Sequence, residues 1–374
     1  MRSRIVVLVA LSAGLFAGSQ QWLMLGSSAD SGNIRVCARR LLKTAFCVLI
    51  LCLASVRIDA AEQPPEPQQV VYVSAARGSD HGRCSINSPC LSIQHALDPT
   101  VVQQGGTVVI LDSGDYTPFS ISGSQATTSP TVTSLTVEAA PGALAVIPAT
   151  SGTAITIQSG SDDTVVLRGL TLEGRSAPLG IDFQTGRTLH VENCVINGFS
   201  SAGLLVNRNV QGDTAEVLVK DSTVRNGSLY GIFLTNAGSA SVVKASVDNC
   251  RLERNGLPAT GPRGDGLVAG DNAVVTVRNT VASNNGFGFT SFTFNSGNSA
   301  EMSLENCVAA NNVVGIAVGS VGGSLIRLSN STVTDNQFGL SIGPNGTILS
   351  RGNNTVEGNG SGNGVPPGST FPPK

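Results

Sequence analysis

Residues able to do chemistry are thinly spread in this chain of 374, in which charged side chains make up only 13%. Asp162-Asp163 is its one adjacent pair of carboxylates. Glycoside hydrolysis needs two carboxyls flanking the scissile bond, but this pair stands in a Gly/Ser stretch before Thr164 and reads as a solvated turn. The histidines, His81, His95 and His190, are scattered; His190 falls at an outward strand position and reads as a surface residue rather than an acid catalyst. No nucleophile elbow, phosphate-binding loop or spaced zinc-ligand set is present, so no metal and no cofactor is expected. The best remaining grouping surrounds the insertion Leu257–Asp265 (LPATGPRGD). There Arg263 and Asp265 are placed to overhang Asn207, Arg208, Phe233 and Asp271. Arg, Asp and Asn beside an apolar strip suit a sugar chain, held by hydrogen bonds and shape; the plainer reading is a loop with a local Arg–Asp pair. Phe287, Phe289, Phe292 and Phe294 add ring surface, although several of them must face a core.

These residues are positioned by a repeat. Asn193, Asp221, Asn249, Asn279, Asn306, Asn330 and Asn354 form a column with steps of 28, 28, 30, 27, 24 and 24 residues, and 24 residues before Asn193 lies Gly169. Each copy holds two alternating apolar positions, the Asn or Asp, a small Cys, Ser or Thr, a short strand-like run, a turn, and a glycine followed by alternating apolar residues. A fixed period of this size marks coils stacked on one another, since no single repeat buries its apolar face alone. High glycine (44 residues) and few aromatics (4%) agree with short strands and tight turns.

With the asparagine column as zero, positions −4 and −2 are apolar (Leu189/Val191, Val217/Val219, Val275/Val277, Met302/Leu304, Ile326/Leu328) and must point inward. Position −1 reads Arg168, Glu192, Lys220, Asp248, Arg278, Glu305, Ser329. In parallel register each charge then lies between two of opposite sign, and a slipped register sets like charges together. The asparagines are expected to turn corners with left-handed backbone and to bond amide to amide along the stack. A second such column is read as Asn226, Asn255, Asn285, Asn312 and Asn336. After the column the small residues run Cys194, Ser222, Cys250, Thr280, Cys307, Ser331, Thr355. Cysteines two coils apart lie roughly 10 Å from one another, too far for a disulfide, and are expected as buried free thiols. A glycine leads the third face in each coil, and its outward column reads Asp182, Leu205, Phe233, Val268, Thr290, Ala317, Ser341.

The chain opens on apolar runs Ile5–Gly18 and Ala45–Val56. The second follows Arg39, Arg40 and Lys43 and precedes Ala60-Ala61, which fits a secretory leader over 1–61 better than a membrane span. A Pro/Glu/Gln linker (62–69), an N-terminal cap (70–106), coils (107–357) and a tail without fixed conformation (358–374) follow. Residues 1–61 hold seven basic and two acidic residues, leaving 16 basic and 23 acidic beyond them. That body, at −7, gives no support to nucleic-acid binding. The sole tryptophan, Trp22, lies in the leader. Cys84 and Cys90, six apart in a Gly- and Pro-flanked loop, are placed to close a small disulfide in an oxidising compartment.

The cap carries a resemblance. Val70-Val71-Tyr72-Val73-Ser74, Gly78-Ser79-Asp80, Pro89-Cys90-Leu91-Ser92-Ile93-Gln94-His95-Ala96-Leu97, Gly105-Gly106-Thr107-Val108 and Gly114-Asp115-Tyr116 resemble the start of secreted right-handed parallel β-helix proteins of the pectate-lyase-like superfamily. The resemblance implies an all-β, right-handed parallel β-helix (solenoid) with a short N-terminal helical cap. In enzymes of that kind the glycine-led face carries calcium-binding carboxylates and a cationic base; here its outward column offers one carboxylate and no base. The expectation is an exported, non-catalytic scaffold presenting a rigid face to an extracellular or envelope polysaccharide. Membrane contact is expected only if the leader is retained. The competing expectations are a polysaccharide lyase or hydrolase whose site is not recognisable, and a purely structural surface protein.

Overall fold

The computed structural model describes residues 69–102, 106–123, 134–209, 211–238, 240–256, 264–319 and 321–364, with the backbone of 369–370. The leader, all but the last residue of the linker, and the insertion 257–263 with Arg263 lie outside the described residues.

Each coil passes through three strands and three corners. In one coil Thr188–Glu192, Val195–Asn197 and Ala202–Arg208 lie in the first, second and third sheets. Every strand pairs in parallel with its counterpart one coil away, for example Glu192 with Arg168 and Lys220, and Phe233 with Leu205 and Val268. Among the described residues this gives sheets of 12, 10 and 9 strands, wound in the right-handed sense that parallel crossovers almost always take. The expected alternation holds: Leu189, Val191, Val217, Val219, Val275, Val277, Met302, Leu304, Ile326 and Leu328 are all buried in one continuous core.

Each column settles into the conformation that its own stacking permits. Asn193, Asp221, Asn249, Asn279, Asn306 and Asn330 turn the first corner with φ between 46° and 54°, a region Asn tolerates better than most residues. Asn249 donates to Asp221 at 2.6 Å and Asn306 to Asn279 at 2.7 Å. At the last coil Gly352 takes the left-handed corner (φ 81°), and the side chains of Asn353 and Asn354 accept from Asn330 N and Ser331 N. The last coil steps by 22 residues in the first sheet, Leu328 to Ser350, and by 23 in the second, where Thr355 pairs with Thr332 rather than extending the small-residue stack.

The second corner holds two adjacent columns. Asn226, Arg254, Asn284, Asn311 and Asp335 take left-handed backbone. Asn255, Asn285, Asn312 and Asn336 are buried one residue later, so Asn226 belongs to the outer column and Gly227 holds the inner place. The buried amides form a ladder: Asn285 Nδ2 donates to Leu252 O (2.9 Å) and Asn312 Oδ1 (3.1 Å), while its Oδ1 accepts from Asn255 N and Nδ2. At the small-residue stack, Ser222, Thr280 and Ser331 accept from the backbone N–H of Cys194, Cys250 and Cys307. The same hydroxyls donate to a carbonyl two residues back. A thiol fills the space beneath each hydroxyl, and all three cysteines are free and buried.

Along the charge ladder, Arg168 bridges Glu138 and Glu192 at 2.8 and 2.9 Å. Lys220, Asp248, Arg278 and Glu305 follow in strict register. These exposed charges contribute about 0.2–1 kcal/mol each at most; their effect is on alignment. At the N-terminal end the helix Ile93–Ala96, capped by Ser92, buries Ile93 and Ala96. Gln94 accepts from Ser120 N and donates to Ser120 O, imitating a further strand on the open edge Phe119–Ser122. Cys84 and Cys90 form a disulfide beside this helix. At the far end, residues of 358–364 hydrogen-bond to the preceding coil, Gly362 O and Asn363 O accepting from Gly339 and Leu340.

Removing a rung of the buried ladder should be costly, because orphaned buried polar groups lose about 1–3 kcal/mol each. Asn285→Ala strands Asn255 N and Leu252 O, and should destabilise the chain by about 2–4 kcal/mol in denaturant unfolding. Asn285→Asp, which cannot donate to Leu252 O, should be no better at neutral pH. A loss below about 0.5 kcal/mol would deny the ladder its role.

Candidate functional site

On the third sheet, two columns face outward beside the glycines. One is the expected Asp182, Leu205, Phe233, Val268, Thr290, Ala317, Ser341, in register throughout. The other immediately precedes the glycines and reads Leu179, Ala202, Tyr230, Asp265, Phe287, Val314, Phe338. The glycines let the coils approach this closely: a Cβ on Gly231 would lie 2.5 Å from Gly266 O and 2.9 Å from Asn255 Nδ2.

Tyr230, Asp265 and Phe287 of one column and Val268, Thr290, Ala317 and Ser341 of the other line a cleft of about 360 Å³, bounded by Phe292 and Phe294 as well. Tyr230 stacks on Phe233 at 4.8 Å between centroids, Phe294 meets Phe233 edge-on at 6.0 Å, and Phe292 meets Phe294 at 5.1 Å. Phe294 is half exposed at the rim, whereas Phe289 alone of the four phenylalanines at 287–294 is wholly in the core.

The residues singled out from sequence divide. Asp265 lines the cleft, and Phe233 touches two of its lining rings, Tyr230 and Phe294. Asp265 is buried and accepts from Thr290 Oγ1 at 2.5 Å; burial pushes its carboxyl up to about 7, against the pull of that hydrogen bond. Burial and the Asp265 charge both push the Tyr230 hydroxyl up. Arg208 is not available to a ligand. It is only 4% exposed, lies 4.4 Å over the Phe183 ring, and donates to Asp213 (2.9 Å) and Gly186 O (3.0 Å). Asp271 is buried too, and its role is positional: it accepts from Phe294 N, Asn295 N and Asn295 Nδ2, fixing the excursion that carries Phe292 and Phe294. Asn207 is exposed at the strand end, paired with Thr235. Asp163 closes a turn by accepting from Gly160 N, and His190 lies 3.5 Å from Glu192 on the first sheet. Tyr230 escaped the sequence reading, although aligning the residue before each glycine displays it.

A family model described as a right handed beta helix region matches residues 153–327 and, overlapping them, 210–367, together more than half of the chain. The chain belongs to this β-helix family. Among solved structures, the β-helix is similar to XylC in complex with xylose, at 10% identity, a TM-score of 0.55, and coverage of 76% of this chain and 68% of that one. It is also similar to an alginate lyase from a Paenibacillus species, at 14% identity, a TM-score of 0.52, and coverage of 78% and 97%. At these identities the likeness is one of fold. No curated protein sequence matches the chain.

In this β-helix the buried carboxyl has a measurable consequence. Between about pH 4 and pH 7 the folded chain holds a proton on Asp265 that the unfolded chain has released, its ordinary value being 3.8. Stability therefore falls as pH rises through that window. Asp265→Asn removes this titration. It should match the parent's stability near pH 4 and exceed it at pH 8 by on the order of 4 kcal/mol, seen as a higher melting temperature at pH 8 only. Parallel melting curves at both pH values would contradict the assignment.

Proposed function

We propose that the chain is an exported β-helix scaffold that holds a polysaccharide on its third sheet without transforming it. The observation carrying this is the cleft itself: Tyr230 and Phe294, both in ring contact with Phe233, on a parallel sheet beside a buried Asp265. Aromatic surface with a few convergent polar groups is the make-up of a ligand site. Solved relatives of the same fold point to sugars as the ligand class, one being held with xylose and another being an alginate lyase. The described lining contains one carboxyl and no Lys, Arg or His. Hydrolysis of a glycosidic bond uses a pair of carboxyls, and proton abstraction from a uronic acid uses a base with charge stabilisation, so this inventory favours binding.

Export is supported by the basic residues Arg39, Arg40 and Lys43, the apolar run Ala45–Val56 and Ala60-Ala61. The Cys84–Cys90 disulfide also suits an oxidising compartment. The partner is then an extracellular or envelope polysaccharide.

Affinity electrophoresis and calorimetry against a polysaccharide panel test this reading. Phe233→Ala and Phe294→Ala should each weaken binding by about tenfold, the loss of one well-packed aromatic anchor. Asp271→Ala, which frees the excursion bearing Phe294, should weaken it as well. Val274→Ala, on the exposed face of the first sheet, should change nothing. Release of unsaturated uronate from polygalacturonate or alginate, with or without calcium, would replace the binding reading with that of a lyase.

A further inference from the structure

The binding reading leaves open which sugars the cleft accepts, and its electrostatics bear on that. Its lining repeats at the coil spacing of about 4.8 Å, so the five coils that contribute Tyr230, Asp265, Thr290, Ala317 and Ser341 span about 19 Å along the stack. That length, with a volume of about 360 Å³, suits a short run of sugar rings lying along the axis. The walls are apolar. The polar groups facing the space are the Tyr230 hydroxyl, the Asp265 carboxyl, and the Thr290 and Ser341 hydroxyls.

Resting on the binding reading, we infer that the cleft selects neutral sugars over uronates, with Asp265 as the specificity-determining residue. An acidic sugar entering here would bring a carboxylate beside a buried carboxyl. Among the described lining residues no cation is present to offset it. Desolvating a charge without a counter-charge is costly at either pH, and above about pH 7, where Asp265 ionises, two carboxylates sharing one low-dielectric site repel as well. A neutral sugar meets no such cost. Its C–H faces lie against the rings, and its hydroxyls exchange water for Asp265, Thr290 and Tyr230. Asp265 is held in place by Thr290 at 2.5 Å; kept neutral by burial up to about pH 7, its carboxyl can donate as well as accept. A site built to bond a hydroxyl discriminates strongly, because a ligand lacking that group leaves buried polar atoms unpaired.

The test uses matched ligands: oligogalacturonate and oligomannuronate, each against its own carboxyl-reduced form, in calorimetry with the full chain at pH 6 and pH 8. The expected result is that the reduced, neutral oligomer binds at least tenfold tighter than its charged parent. Asp265→Asn, of equal size but unable to ionise, should narrow that ratio at pH 8 by threefold or more. Charged oligomers binding as tightly as the neutral ones, with the affinity lost in Phe294→Ala, would overturn the choice of sugar and leave the binding reading standing. An unchanged ratio in Asp265→Asn would overturn the role of Asp265. Binding of neither form would overturn the binding reading, and this inference with it.

Discussion

Parallel stacking at one coil per step makes every residue the neighbour of its own counterparts, about 4.8 Å above and below. Each column must therefore be compatible with itself. Glycine recurs at the head of the third sheet because a Cβ at Gly180, Gly231, Gly266 or Gly288 would press on the next glycine's carbonyl within 2.4–2.7 Å. The buried asparagines occupy the space those missing side chains leave, with Asn255, Asn285 and Asn312 amides lying near Gly231, Gly266 and Gly288. The two columns hold one another in place: larger residues at the glycines would displace the amides, and apolar residues at the asparagines would orphan the corner backbone. The same rule sets the alternation of charge from Arg168 to Glu305 and the alternation of thiol with hydroxyl from Cys194 to Ser331.

That self-compatibility is why the fold was legible in the sequence. The register of Arg278 against Asp248 and Glu305, the burial of Cys194, Cys250 and Cys307, and the outward column from Asp182 to Ser341 all follow from aligning one period. Slips came where two neighbouring positions share a residue type. At the second corner asparagine occurs in both the left-handed and the buried column, so Asn226 could not be told from its neighbour's place. At the last coil Asn353 and Asn354 are adjacent, and only the structure shows that Gly352 turns the corner while their side chains cap Asn330 and Ser331.

The cleft was less legible, for a different physical reason. Outward columns need not repeat, so residue type there carries little positional information. Asp265 appeared as the tail of an insertion, yet it stands in a strand between Tyr230 and Phe287. Arg208 appeared as a surface cation. Its place at the end of a third-sheet strand instead folds it over Phe183 and onto Asp213 and Gly186 O, contacts 22 to 25 residues away for the first and last of these. Burial of a charged side chain depends on such partners, and single-sequence patterning does not reveal them.

Asp265 and Asp271 lie six residues apart on the same coil, and their surroundings assign them opposite tasks. Asp271 accepts three hydrogen bonds from the 294–295 segment, which satisfies its buried oxygens. It serves as the anchor that lets the chain leave the repeat and return. Asp265 has the Thr290 hydroxyl and a surround of rings, so its charged form is the one in difficulty. A regular solenoid offers a ligand only flat, self-similar columns. A cleft arises where one coil makes an excursion, and the excursion holds only if its backbone is tied down by a residue already inside the stack. On this face the anchoring carboxyl is fully engaged with protein, which leaves Asp265 as the carboxyl of this coil that a ligand in the cleft can meet.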